Sequence, residues 1–282
     1  MFKYAKYELR GTMKFLMGAI ILALGASTGI QLFIRREAGN TLRYLGGMPR
    51  ESELIAFLVV ALVFVLIGSI IGGMVYLISS YRRELYEDRG YLTFSLPLSG
   101  GQLLGSKLIV ALFWGTVMGI SIILYNLILA QMLIGYNLFG ELWKIAAQID
   151  NFGFLFAGSV ITSLMESAVT LLLVYFAITV SRVSIKSRKI GSLWFILFIV
   201  LTSIVTYIQE FIAKQLPMYL DLSRMEMIGQ KEAYIMGIDS QFGGTLSIQG
   251  VVSIPGLLFQ IVLIAGAFIA TAYMLERKID IV

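Results

Sequence analysis

The stretch LIVALFWGTVMGISIILYNLILAQMLI, Leu108 to Ile134, decides how the rest of the chain is read, because it contains no charged side chain. Coiled as a helix at 1.5 Å per residue it would extend about 40 Å, more than the ~30 Å hydrocarbon core of a bilayer requires. Five other segments are long and predominantly apolar: Phe15–Ile34, Leu54–Ser80, Phe152–Val180, Ile190–Ala213 and Val251–Leu275. All 22 lysines and arginines lie outside the six segments. The four prolines, Pro49, Pro97, Pro217 and Pro255, fall between or at the edges of them. The predicted fold is therefore all-α: a single polytopic membrane domain over 1–282 with six transmembrane helices.

Composition agrees. Of 282 residues 58% are hydrophobic and 14% charged, against roughly 25% charged in a soluble domain. So much apolar surface in so short a chain needs an apolar solvent. Cysteine and histidine are both absent. Thiolate chemistry, imidazole acid–base catalysis and a serine–histidine or zinc membrane protease are thereby excluded. The basic start (Lys3, Lys6, Arg10, Lys14) and the apolar run after it could be taken for a secretory signal. That run is too long for a signal's apolar region, and no small-residue cleavage site closes it before Arg35. It is predicted to stay as the first span, with Phe2–Arg10 a basic, amphipathic helix suited to anionic headgroups.

Basic residues set the expected orientation. With the N-terminus inside, cytoplasmic segments hold fourteen: Lys3, Lys6, Arg10, Lys14, Arg82, Arg83, Arg89, Lys107, Arg182, Lys186, Arg188, Lys189, Arg277 and Lys278. External segments hold eight: Arg35, Arg36, Arg43, Arg50, Lys144, Lys214, Arg224 and Lys231. Both termini are expected in the cytoplasm, and Arg35, Arg36, Arg43 and Arg50 in the first external loop count against it. The external segment 214–250, with Met218-Tyr219-Leu220 and Gly243-Gly244, is expected to contain short helices at the outer leaflet.

The cytoplasmic stretch 81–107 has the most character. It opens with charges from Arg82 to Arg89, stops at Gly90, and is broken by Pro97 and Gly100-Gly101 before a helix that Ser99 can cap. Residues Gly90-Tyr-Leu-Thr-Phe-Ser-Leu-Pro-Leu-Ser99, with Gln102-Leu-Leu104 and Ser106-Lys-Leu108, resemble the loop between the second and third spans of bacterial ABC-2-type transporter permeases. The likeness extends to the basic N-terminus, the six spans and the long external segment before the last. It implies that 81–107 is a coupling region docking on a separate ATPase subunit, and that the N-terminal segment lies along the inner membrane face. Glu84, Glu87, Asp88 and Arg89 would then be the polar contacts, with Tyr91, Phe94 and Leu96 packed beneath them. ATP and magnesium would sit on that partner, two copies per complex, with a second permease chain alongside. The chain itself would hold no cofactor, catalyse no reaction and bind no nucleic acid.

Glu166 is the one ionisable residue deep in a span. A carboxyl there must face a polar cavity, find a partner or stay protonated. It is read either as part of a translocation path or as a neutral acid bonding across an interface, with Asn126, Ser163, Ser167 and Thr170 as partners. Glycine pairs at 25/29, 68/72 and 115/119 let helices approach closely, within one chain or between two. Gly100-x4-Gly105-Ser106-Lys107 misplaces the P-loop lysine and opens a span rather than following a strand, so it is no nucleotide loop. The sequence thus predicts the multi-pass permease of an exporter in a bacterial cell membrane, carrying a lipid, peptide or amphipathic drug-like molecule. Alternatives are a secondary transporter using Glu166 or a non-transporting sensor or assembly protein.

Overall fold

In a bilayer every backbone N–H and C=O must be bonded within its own segment, so uninterrupted apolar runs become helices. A computed structural model of the chain describes residues 2–45, 51–86, 98–134, 137–184, 193–229 and 250–277. Its helices are α1 (Phe2–Leu45), α2 (Glu51–Tyr86), α3 (Gly100–Ile134), α4 (Leu138–Gln148), α5 (Phe152–Ser184), α6 (Leu193–Gln215) and α7 (Ile254–Arg277). All but α4 are long and apolar enough to cross a membrane, which makes the chain a multi-pass membrane protein. Their surfaces agree. Leu22, Phe64, Tyr207 and Val262 are exposed, and no residue of α6 is buried. Water would not tolerate so much uncovered apolar side chain.

Helices α1, α2, α3 and α5 outrun the apolar segments. Helix α1 continues unbroken from Phe2 to Leu45, about 66 Å, so the basic N-terminal turns extend the first span as one helix. Arg35, Arg36 and Arg43, expected in a loop, belong to its last turns. The loop expected between the third and fourth spans contains α4.

The chain divides into two compact units. The first comprises 2–77 and 109–145. Its apolar core gathers Ala23 and Leu24 of α1, Val65 of α2 and Ile122 of α3. The Phe15 and Tyr76 rings stack 3.9 Å apart, and the Trp114 indole N–H donates to Thr12 Oγ1 at 3.0 Å. A polar clamp joins α1 to α3: the Ser27 hydroxyl and Gln31 Nε2 both donate to Asn126 Oδ1, while Asn126 Nδ2 donates to the Ile122 carbonyl. Beside it the Thr28 and Tyr125 hydroxyls share a hydrogen bond. In hydrocarbon such side-chain bonds hold helices together where apolar burial gives no driving force.

The second unit comprises 78–108 and 146–282. Helix α5 packs on α6 and α7, burying Leu171–Val174, Ala177 and Ile178. Where short helices were expected after α6, the described residues form a three-stranded antiparallel sheet in the order β2-β1-β3. Its strands are β1 (Tyr219–Asp221), β2 (Glu226–Ile228) and β3 (Val251–Ser253). Met218-Tyr219-Leu220 thus leads into a strand, because Tyr219, Ile228 and Val251 bury one another across the ladder. Val251, expected to open the last span, belongs to β3. That helix begins instead at Ile254, where Pro255 suits the first turn and Ser253 Oγ accepts from the Gly256 N–H at 3.3 Å. Gly243-Gly244 lies outside the described residues.

The sheet is tied to the start of α5. Asn151 Nδ2 donates to the Ser223 carbonyl at 2.8 Å, and the Leu222 side chain lies over Gly158. Gly250, at φ +83°, meets Leu155, so a side chain there would be both strained and obstructed. Asp221 organises the β1–β2 turn. Burial pushes its carboxyl up. Hydrogen bonds from the Ser223 hydroxyl (2.6 Å), the Ser223 N–H (2.8 Å) and the Arg224 N–H (3.3 Å), with the Arg224 charge, outweigh that and hold it below its ordinary value. A depressed folded pKa stabilises the sheet above the unfolded value and ceases to do so as pH falls through the folded one. Asp221→Asn should therefore cost about 2 kcal/mol at neutral pH. The gap to the wild type should close below roughly pH 4 in thermal melts of the solubilised chain.

Candidate functional site

Four helix ends of the second unit meet at the roots of residues 87–97, the elbow between α2 and α3: the last turns of α2, α5 and α7 and the first turns of α3. Each side chain here is placed by helical spacing. Tyr81, Glu84 and Leu85 lie three and four residues apart and so share one face of α2, and Tyr81 and Leu85 are fully buried. The Tyr81 ring tilts against Tyr175 of α5, centroids 4.3 Å apart. Thr179 spends its single proton on the Tyr175 carbonyl, so the Tyr81 hydroxyl is the donor in the 2.8 Å bond between them. One turn on, Tyr86 lies within 5.9 Å of the Arg82 guanidinium and 5.2 Å of that of Arg182 on α5. Both are cation–π contacts, and the second joins α2 to α5.

Lys107 is 4% exposed and Glu84 15%. A lysine rarely goes so deep unless paired, and here its ammonium meets the Glu84 carboxylate directly. The pair joins the last helical residues before the elbow to the first turns after it. Ser99 and Gln102 add a reciprocal cap: Ser99 Oγ accepts from the Gln102 N–H at 3.2 Å, and Gln102 Oε1 accepts from the Ser99 N–H at 3.4 Å. Another early donor, the Gly100 N–H, bonds Glu276 Oε1 of α7 at 2.8 Å. A carboxylate at a helix N-terminus also complements the dipole there. The residues that mimic a P-loop, Gly100 to Lys107, are thus the first two turns of α3, with an acid already at their open end.

Of the proposed coupling residues, only Glu84 is described. Its carboxylate is turned to Lys107 rather than presented at the surface. Glu87, Asp88, Arg89, Tyr91, Phe94 and Leu96 lie outside the described residues. Asn126 is buried in the α1–α3 clamp. Glu166 lies on the exposed face of α5; of the hydroxyls proposed as its partners, Thr170 bonds the Glu166 carbonyl and Ser167 the Ser163 carbonyl. The glycine pairs at 25/29, 68/72 and 115/119 face open space, and α2 instead meets α3 at Gly73, against Met118. Close helix approach depends on which face a neighbour covers, and a spacing rule does not supply that.

Sequence reasoning missed Lys107 as partner of Glu84 and Glu276 as a cap on α3. A faint signal existed for the first, since opposite charges flank the elbow. No local pattern announces the second, 176 positions away. In chemical terms the arrangement is four helix ends, of α2, α3, α5 and α7, joined by charged and polar bonds. Compared with known proteins, the chain matches no family model, no curated protein and no solved structure.

Proposed function

We propose that the chain is the transmembrane permease subunit of an ATP-binding cassette transporter resembling the ABC-2 type. Both termini and the elbow would lie on the cytoplasmic side, where a separate ATPase binds ATP and magnesium. The observation that supports this reading best is the anchoring of the elbow. Its two roots are held together by Glu84 and Lys107, and its exit is bonded to α7 through Gly100 and Glu276. A loop only needed to reverse the chain requires none of this. A loop that receives force from a partner does, because force spreads only through contacts that do not yield.

In this reading residues 87–97 are the docking surface and the buried Glu84–Lys107 pair at their roots is the transmission. Two ATPase copies and a second permease chain complete the assembly, and the cargo is a lipid, peptide or amphipathic drug-like molecule. Glu166, on an exposed face within a span, would line the path or the interface with the second chain, because lipid does not readily solvate a carboxyl there.

Copurification tests the partner: the gently solubilised chain should bring an ATPase with it, and its absence would defeat the proposal. Reversing the charges of Glu87 and Asp88 to lysine tests the surface. Transport-coupled ATPase activity should fall at least tenfold while insertion and thermal stability stay at wild-type levels. Unchanged coupling in that variant would move the docking surface elsewhere.

A further inference from the structure

Helix α4 plays no part in the elbow or in the proposed transport step, and it has an unusual surface. Its sequence, LFGELWKIAAQ, places Leu138, Phe139, Leu142, Trp143 and Ile145 on one broad face, with Glu141, Lys144 and Gln148 opposite. None of its residues is buried. Trp143 is 75% exposed and Ile145 55%, so the apolar face has no partner within the described chain. An isolated helix of this length is marginal in water, and most helices so short depend on something covering the apolar face.

From these observations we infer that α4 is an interfacial helix, lying in the plane of the membrane surface at the end of α3 remote from Gly100, with the bilayer itself as its partner. Connectivity favours lipid over a second protein. Residues 135–137 join α4 to α3 and residues 149–151 join it to α5. Three extended residues reach about 10 Å. That is comparable with the few ångströms of headgroup zone on either side of the core, so α4 has no length of tether with which to leave it. Exposed apolar side chains also flank it in sequence, Met132 on α3 and Phe152, Phe154 and Phe156 on α5. Trp143 stands at the border of the two faces, where an indole places its ring in lipid and its N–H among headgroups.

Charge defines the lipid chemistry. Glu141 and Lys144 pair with each other at 2.8 Å and cancel, so the polar face has no excess of cations. Anionic headgroups therefore add nothing, and binding comes from apolar burial. The N-terminal turns, with Lys3, Lys6 and Arg10, have the opposite character.

The chain has no cysteine, so single cysteines at positions 139, 141, 142, 144, 145 and 148 each provide a unique site for a nitroxide. With the full chain in phosphatidylcholine vesicles, labels at 139, 142 and 145 should collide with oxygen several-fold more often than with a water-soluble nickel chelate. Labels at 141, 144 and 148 should show the reverse, and adding phosphatidylglycerol should leave the pattern unchanged. Uniform nickel access would overturn the inference by placing α4 in water. Labels on the apolar face shielded from both reagents would overturn it by showing a protein there instead. Neither result bears on the ATPase, so the two proposals stand or fall separately.

Discussion

Replacing Lys107 by methionine should destabilise the solubilised chain by about 3 kcal/mol, the largest loss expected of any single change described for this protein. The reason is asymmetric. Folding has already withdrawn Lys107 and Glu84 from water, and their mutual attraction offsets that cost. Removing the cation leaves a carboxylate in a site with too little water to solvate it. Replacing both, as Glu84→Leu with Lys107→Met, removes the uncompensated charge as well. The double variant should then recover most of the loss, since apolar residues of similar volume often equal or exceed a buried ion pair. Thermal melts or denaturant titrations of the wild type, two single variants and the double variant measure the coupling directly. A double variant as unstable as the sum of the singles would show that the pair is not the operative contact. Should the elbow transmit force, the double variant has a second signature: a stable chain with weakened ATPase coupling.

The second large effect concerns Gly100. A Cβ there would come within 2.7 Å of the Ala272 carbonyl oxygen, 2.9 Å of Glu276 Cγ and 3.0 Å of Leu275 Cβ. The nearest of these is backbone on a packed helix and cannot swing aside. Gly100→Ala should cost about 1–3 kcal/mol by overpacking, and it should also strain the Glu276 cap. Its neighbour supplies the control. At Gly101 the same Cβ would meet Ala272 Cβ and Phe268 at 3.8 Å, an ordinary contact. Alanine is up to about 1 kcal/mol better than glycine in a helix, so Gly101→Ala should be neutral or stabilising. At Gly100 steric overlap outweighs propensity, and at Gly101 propensity prevails. Paired melts in which the two variants behave alike would dispose of the close α3–α7 approach.

Much of the architecture was legible because membrane insertion is read locally. An apolar run needs no knowledge of its neighbours to become a helix in lipid, so six spans could be counted residue by residue. The Ser99 cap was legible too, since both partners of a capping box lie within one turn. Features made by meetings between distant segments were not. Three-residue strands are too short to show alternation, and Tyr219 joins a sheet only because Ile228 and Val251 come back to cover it. Helix α4 was overlooked because eleven residues with charges interleaved among the apolar ones read as a loop until their periodicity is checked. The glycine pairs are the converse case: within the described chain they face open space. Their pattern is local, but whether a neighbour covers that face is decided elsewhere.

The run from Leu108 to Ile134 by itself committed the chain to the membrane, since it carries no charge and its few polar side chains are far outnumbered by apolar ones. With the other five segments it determined the number of spans. Which polar side chains would meet was left to the tertiary structure. Lys107 finds Glu84, Gly100 finds Glu276, and Asn126 is enclosed by Ser27 and Gln31. Transfer of apolar surface into lipid is non-directional and adds up along the chain, so it can be summed from sequence. Hydrogen bonds and ion pairs act over a few ångströms and depend on angle, and only the packed helices set those distances.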